Sequence, residues 1–237
     1  MKDKIKNAID NSQRAQRNYD LSCTVSKSDL ETLIYVAKNS PSKQNEIHYK
    51  IKVYTDQSVI RQIYNCTKLF SLPSSKPIAE VKDGKIWQDE NTSVHNSQIL
   101  ANVLFVYEDD EGPARGGSHK LAQQNPEEQM LNAFYIENKA YSVGVSVGQL
   151  ILSANLLGYK TGVCSAFHQD KVAEIIKSDK VPKLLVGIGY ENVGVNRRWH
   201  AETLNKDVLE IARTGELDEP WQFPSFEKHT KVTINGN

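Results

Sequence analysis

The chain runs to 237 residues, 39% hydrophobic and 24% charged, an ordinary globular composition with enough length for one large domain or two small ones. Its 29 basic residues balance 29 acidic ones, so no overall charge recruits nucleic acid or an acidic membrane. Three widely spaced cysteines, Cys23, Cys66 and Cys164, exclude a disulfide framework and a CxxC metal knuckle, which makes a reducing, cytoplasmic compartment the simplest expectation.

Residues 1–20 are polar and read as mature protein, without the apolar core of a signal peptide. Residues 26–39 predict a helix, since Leu30, Leu33, Ile34 and Ala37 recur on one face and Ser26 with Asp29 has capping-box spacing. Pro41 ends that pattern. An alternating strand follows, with Ile47, Tyr49, Ile51 and Val53 on one face and His48, Lys50 and Lys52 on the other. Residues 56–69 return to helical spacing, and 72–98 read as a long loop or small subdomain. The nearly continuous apolar run 99–107 predicts a strand buried on both faces. After a glycine-rich loop at 109–125, residues 127–157 are helical, as two helices or a broken one. The uncharged stretch 140–159 has the length of a membrane span, but Ser142, Ser146, Gln149, Ser153 and Asn155 recur through it, and a buried helix explains it better. A segment at 162–167, a short helix over 171–176 and a strand at 184–189 follow. Residues 218–237, with isolated aromatics Trp221, Phe223 and Phe226, read as an extended arm. The whole predicts a single α+β domain over 1–237, three layers around a central mixed sheet.

Four short segments carry candidate chemistry. Arg14 and Arg17 lie three apart, so on a helical turn both guanidinium groups can reach one anion; a solvated basic helix end is the plainer account. The turn Ser40-Pro41-Ser42-Lys43-Gln44-Asn45 offers hydroxyl and amide groups to a polyol or a heterocycle edge, or simply joins helix to strand. Gly158 and Gly162 end the long helix, and small residues at Ser165 and Ala166 leave backbone N–H groups open to something flat, unless this is an ordinary helix cap. Gly187 and Gly189 lack the third glycine of a dinucleotide fingerprint. Arg197 and Arg198 behind them form either an anion clamp or an exposed basic pair. Six histidines show no ligand spacing, so no metal is expected, and a lone Arg115-Gly116-Gly117 is no RNA-binding tract.

In this order the four segments resemble the nitroreductase family, over residues 13 to about 207. Arg14, Arg17 and Tyr19 match its opening arginine motif. Ser40, Pro41, Ser42 and Asn45 match its Ser-Pro-Ser-x-x-Asn turn. Residues 155–162 match the end of its central helix, and Gly189, Tyr190, Arg197 and Arg198 its closing elements. The resemblance implies an FMN-dependent, ping-pong oxidoreductase taking hydride from NADH or NADPH to nitroaromatics, quinones or similar acceptors. By it, Arg14, Arg197 and Arg198 would hold the FMN phosphate and Arg17 would face the pyrimidine edge. Ser42 and Asn45 would meet the ribityl and ring, the backbone at Ser165 and Ala166 would meet N5 and O4, Pro41 and Cys164 would lie in the same cofactor-binding segments, and Asn96 would lie at the flavin edge. No catalytic side chain is implied, because the flavin carries the chemistry; Cys164 is either a redox thiol or a small buried filler.

Family members are intertwined homodimers with a C-terminal arm over the partner, and Gly144 and Gly148 have the spacing for close helix approach. Three departures stand out: Gln13 replaces an arginine, Ala15 a serine, and Glu46-Ile47-His48-Tyr49 stands where the family has Gln-Pro-Trp. They motivate an alternative, a nitroreductase-like scaffold that binds flavin or another small ligand without redox turnover. No nucleic-acid or membrane partner is expected.

Overall fold

The computed structural model describes residues 1–67, 78–82, 85–88, 95–110, 124 and 127–194. Strand β4 (Val103–Asp109) is the spine of the molecule and shows why the chain is layered. Val103, Phe105 and Tyr107 point to one face and Leu104 and Val106 to the other, all at most 1% exposed. Such period-two alternation with apolar residues on both faces demands a helical cover on each side.

Strands β1 (Tyr49–Tyr54), β5 (Lys160–Cys164) and β6 (Pro182–Gly189) complete a sheet of order β1-β4-β6-β5. Every pairing among these four strands is antiparallel, where the sequence predicts a mixed sheet. The helical crossover from β4 does bring β5 back in β4's direction, but β6 inserts between them and faces both in the opposite sense. A separate antiparallel pair, β2 (Ile78–Lys82) and β3 (Lys85–Gln88), lies within the segment expected to be a loop or subdomain.

One face of the sheet is covered by helices α2 (Lys27–Lys38) and α4 (Gln129–Leu156), through Leu33, Ala37, Val147, Leu150 and Ala154. Helix α3 (Gln57–Asn65) and helix α5 (Gln169–Ile175) cover the other, through Ile60, Ile63 and Val172. The amino-terminal helix α1 (Lys2–Ser12) packs against α4 and β5 and buries only Ala8. Its polar sequence conceals it.

The caps follow the sequence closely. Ser26 Oγ accepts from the Asp29 amide at 3.1 Å, and Asp56 plays the same part for α3 through the Ser58 amide at 2.8 Å. Helix α4 is one unbroken run of 28 residues rather than two pieces. It ends in a paired cap: Gly158, at φ 96°, donates to the Asn155 carbonyl at 3.2 Å and Tyr159 to Ala154 at 2.9 Å. Its polar residues find protein partners, Ser146 Oγ donating to the Ala37 carbonyl at 2.9 Å and Asn155 Nδ2 to Ile151 at 2.9 Å. Among the described residues, no helix is long and apolar enough to cross a membrane. Most of the expected loop at 109–125 and all of the arm at 218–237 lie outside the described residues.

Candidate functional site

The chain leaves α1 at Ser12 and runs extended past the ends of β5 and β6. The Gln16 amide donates to the Thr161 carbonyl at 2.8 Å, Tyr19 bridges to Glu191, and the Asp20 amide donates to Tyr190 at 3.0 Å. Arg14 and Arg17 therefore do not share a helical turn: Arg14 is exposed, while Arg17 turns inward. The strip is pinned by Tyr19, whose hydroxyl donates to the carbonyls of Gln98 at 3.1 Å and Gly187 at 3.3 Å. Burial pushes that phenol far above its ordinary range.

Two glycines of β6 serve this junction. A Cβ on Gly187 would stand 2.3 Å from the Gln98 carbonyl oxygen, and one on Gly189 would stand 2.0 Å from Asn102 Oδ1. Both exist to let the segment around the 3₁₀ turn Ser97–Ile99 lie against the sheet, not to cradle a dinucleotide.

Arg17 reaches the end of β5 beside Cys164. Burial lowers the guanidinium pKa, and the thiol opposes that shift weakly. Burial raises the thiol, partly offset by the Ala166 backbone and by Arg17. Cys164 is 3% exposed, Ala166 half-buried and Ser165 exposed, so the loop presents backbone and small side chains to the outside. Asn96 is tied to the same loop: its Nδ2 donates to the carbonyls of Ala166 at 3.1 Å and Thr67 at 3.0 Å. Its amide donates to Thr67 Oγ1 at 2.7 Å. Both side-chain hydrogens are committed to protein carbonyls, so Asn96 can offer a ligand only its carbonyl oxygen. The structure thus brings together Arg17, Asn96, Cys164, Ser165 and Ala166.

Pro41, Ser42 and Asn45 form a second group, on the turn that leads into β1. Asn45 adopts a left-handed φ of 57° and closes the turn Lys43–Asn45, its amide donating to the Ser42 carbonyl at 3.1 Å. Ser40 Oγ lies 2.9 Å from both the Val36 carbonyl and Gln149 Oε1, fastening the turn to α4. Ser42 Oγ is shut off from solvent and has no hydrogen-bond partner among the described residues. Beside it a cleft of about 280 Å³ opens, walled by Pro41, Ser42, Lys43, Asn138, Tyr141 and Val145. The sequence gives no hint that Asn138 and Tyr141 belong there, because residues of one helix face look alike until a neighbouring turn settles on them.

The departure from the family pattern at residues 46–49 is internal. Glu46 and His48 are each 1% exposed and meet at 3.1 Å. The His48 ring lies edge-on to Tyr135, centroids 5.3 Å apart. Period-two reading places His48 on the polar face; the strand begins only at Tyr49, and His48 turns in to Glu46 instead.

The two groups lie at opposite edges of the sheet, the turn at β1 and Arg17 with the Cys164 loop at β5. Three strand intervals separate those edges by roughly 14 Å. Between them α4 exposes Ile136 (65%), Tyr141 (62%) and Val145 (42%). Among the described residues, nothing lies within 4 Å of a Cβ built on Gly144 or Gly148. Arg197 and Arg198 lie outside the described residues, and among those described no cluster of His, Cys, Asp or Glu could hold a metal.

An antiparallel sheet between paired helical layers places the chain in the α+β class. A model of the Nitroreductase family matches residues 11–190, and the chain belongs to that family. Its fold is shared with nitroreductase A from Vibrio parahaemolyticus, at 15% identity and TM-score 0.54 over 82% of this chain and 69% of that one. It is shared also with NfrA2 of B. megaterium, at 15% identity and TM-score 0.55 over 88% and 78%. A third is the NADPH:FMN oxidoreductase from Vibrio harveyi complexed with NAD+, at 13% identity and TM-score 0.52 over 81% and 70%. No curated protein gives a significant match.

Proposed function

We propose that the chain is an FMN-dependent oxidoreductase, working as a homodimer, that moves hydride from NAD(P)H to small electron-poor acceptors. The observation that carries this reading is Arg17 beside the Cys164–Ala166 loop, with Asn96 bonded to the same backbone. A flat, backbone-lined surface next to a guanidinium suits a heterocycle that gains negative charge on reduction. Family membership and the flavin-linked name of the Vibrio harveyi relative agree with it.

The residues present fit the group. FMN, when bound, supplies the hydride-accepting and hydride-donating chemistry. Arg17 stabilises negative charge on the reduced ring, and arginine stays protonated even where burial lowers its pKa. Exposed Arg14, together with Arg197 and Arg198, supplies charge for the phosphate. Cys164, its thiol pushed up by burial, stays protonated near neutral pH and is no nucleophile there. Ser42 stands on the turn at the other group, its hydroxyl buried and without a hydrogen-bond partner among the described residues. Because Pro41, Ser42 and Asn45 stand at the far edge of the sheet, they serve the same cofactor most simply from a second subunit, docked along the exposed apolar face of α4.

Gln13 and Ala15 favour a second reading, a ligand-binding protein without turnover. Gln13 Nε2 donates to Asp10 Oδ1 at 3.1 Å, and Ala15 brings no hydroxyl. The visible spectrum of the purified protein separates the two, recorded before and after FMN and then NADH or NADPH under anaerobic conditions. Flavin bands that bleach with nicotinamide are expected. A colourless protein that ignores FMN overturns the enzyme and leaves the binding protein.

A further inference from the structure

We propose that Asn96 and Cys164 are positioning residues: between them they hold the Ala166 carbonyl inside the protein, so that the loop beyond β5 meets a ligand with N–H donors and not with that oxygen. The effect on a flavin rests on the oxidoreductase reading above; the clamp itself does not.

The clamp is built at one atom. The Ala166 carbonyl accepts from Asn96 Nδ2 at 3.1 Å and from the Cys164 thiol at 3.4 Å. A carbonyl oxygen has two lone pairs, and two donors fill them. Burial pushes the thiol up, so it keeps the proton that it donates. Asn96 is held in turn by Thr67, fully buried just past the end of α3. Its Nδ2 also donates to the Thr67 carbonyl at 3.0 Å, and its amide donates to Thr67 Oγ1 at 2.7 Å. The His168 amide, donating to the Cys66 carbonyl at 2.9 Å, fixes the far end of the loop.

The polarity of the loop follows. A trans peptide is planar, so a carbonyl turned to Asn96 turns the Phe167 N–H the opposite way. Among the described residues, no group accepts from the amides of Ser165, Ala166 or Phe167. With the Ala166 oxygen occupied and Arg17 near Cys164, the surroundings favour a ring that gains negative charge over the same ring oxidised. Loss of either donor leaves that carbonyl with an unfilled lone pair and its negative end open to the ligand. Cys164 is only 3% exposed, so its thiol acts on a ligand through this carbonyl.

Carbonyl carbon-13 NMR of the purified protein reads the clamp without turnover. The Ala166 signal should move upfield in Asn96→Ala and in Cys164→Ala, and return in Cys164→Ser, whose hydroxyl donates to the same oxygen. With FMN bound, a redox titration followed by absorbance reads the consequence. Asn96→Ala should hold reduced flavin about tenfold more weakly relative to oxidised, a fall of about 30 mV in the two-electron midpoint potential. Cys164→Ala should show about a threefold change in the same direction, with Cys164→Ser at the wild-type value. The cysteine pair alters one small buried side chain and decides the question even where Asn96→Ala does not fold. An Ala166 signal unmoved in both alanine variants overturns the clamp. So does a potential that neither variant moves, or a Cys164→Ser protein no different from Cys164→Ala; the flavoenzyme survives all three results. A wild-type protein that takes up no FMN overturns the oxidoreductase reading, and with it the effect on a flavin.

Discussion

Replacing Arg17 by alanine removes the guanidinium beside Cys164 while leaving the surrounding backbone ladder, Gln16 to Thr161 and Asp20 to Tyr190, in place. A charged hydrogen-bond partner lost from a partly buried site costs about 1.5–3 kcal/mol, so FMN should bind about 10- to 100-fold more weakly. Flavin fluorescence titration reads this directly, and unchanged affinity and reduction rate would take Arg17 out of the site. Asp29 offers a prediction in pH. The Tyr159 hydroxyl, donating at 2.7 Å, and the Ser26 hydroxyl hold its carboxyl below the ordinary range. A carboxylate with a depressed folded pKa contributes stability that is present above the unfolded value of about 3.9 and lost as pH falls through the folded value. Asp29→Asn should therefore lower Tm at pH 6 and converge on the wild type as the solution is acidified towards pH 2; a gap independent of pH would remove the carboxylate as its cause. Legibility at this scale was uneven. Ser26 and Asp29 announce their cap by spacing alone, whereas Glu46 and His48 give no sign of meeting, because a two-residue contact at a strand entrance leaves no periodic trace.

At the scale of elements, the junction between the 3₁₀ turn and β6 has no slack. A methyl group on Gly189 would stand 2.0 Å from Asn102 Oδ1, and that side chain is itself committed, accepting from the Tyr190 amide at 3.0 Å and donating to the carbonyls of Asp20 and Cys23. Gly189→Ala should destabilise the fold by about 1–3 kcal/mol, the range for overpacking. Urea unfolding would show it as a lower midpoint at unchanged slope, and an unchanged midpoint would mean that Asn102 moves aside freely. Strong periodicity made α2, α3 and the doubly buried β4 readable from sequence. What escaped reading depended on partners far along the chain. Insertion of β6 between β4 and β5 turns an expected mixed sheet antiparallel at every described pairing. Helix α4 stays whole because its serines and Asn155 find carbonyls and hydroxyls to bond. Helix α1, polar and burying only Ala8, offers no apolar stripe long enough to detect.

For the whole molecule, the two groups of candidate site residues at opposite sheet edges raise the question of what joins them. Motif order singles out both groups in the sequence, yet no sequence pattern tells whether the two would meet one ligand within a subunit or across two. Helix α4 runs beneath both and bares Ile136, Tyr141 and Val145 together with Gly144 and Gly148. Gly148 is the sharpest probe of that face. Among the described residues nothing stands within 4 Å of the position a Cβ would take there, so the first side-chain atom of a leucine meets no described residue. By helix propensity alone it should even stabilise the monomer, by up to about 1 kcal/mol. A second copy packed closely across the glycines would have no room for the same side chain. Gly148→Leu should thus shift the sedimentation coefficient from dimer to monomer while leaving the far-ultraviolet circular dichroism and Tm of the monomer at least as high as before. Flavin retention should fall in the same variant, since the Ser42 turn would no longer reach the partner's cofactor. A Gly148→Leu protein that sediments as the wild type does would place the dimer interface elsewhere and leave the Ser42 turn without a cofactor to serve.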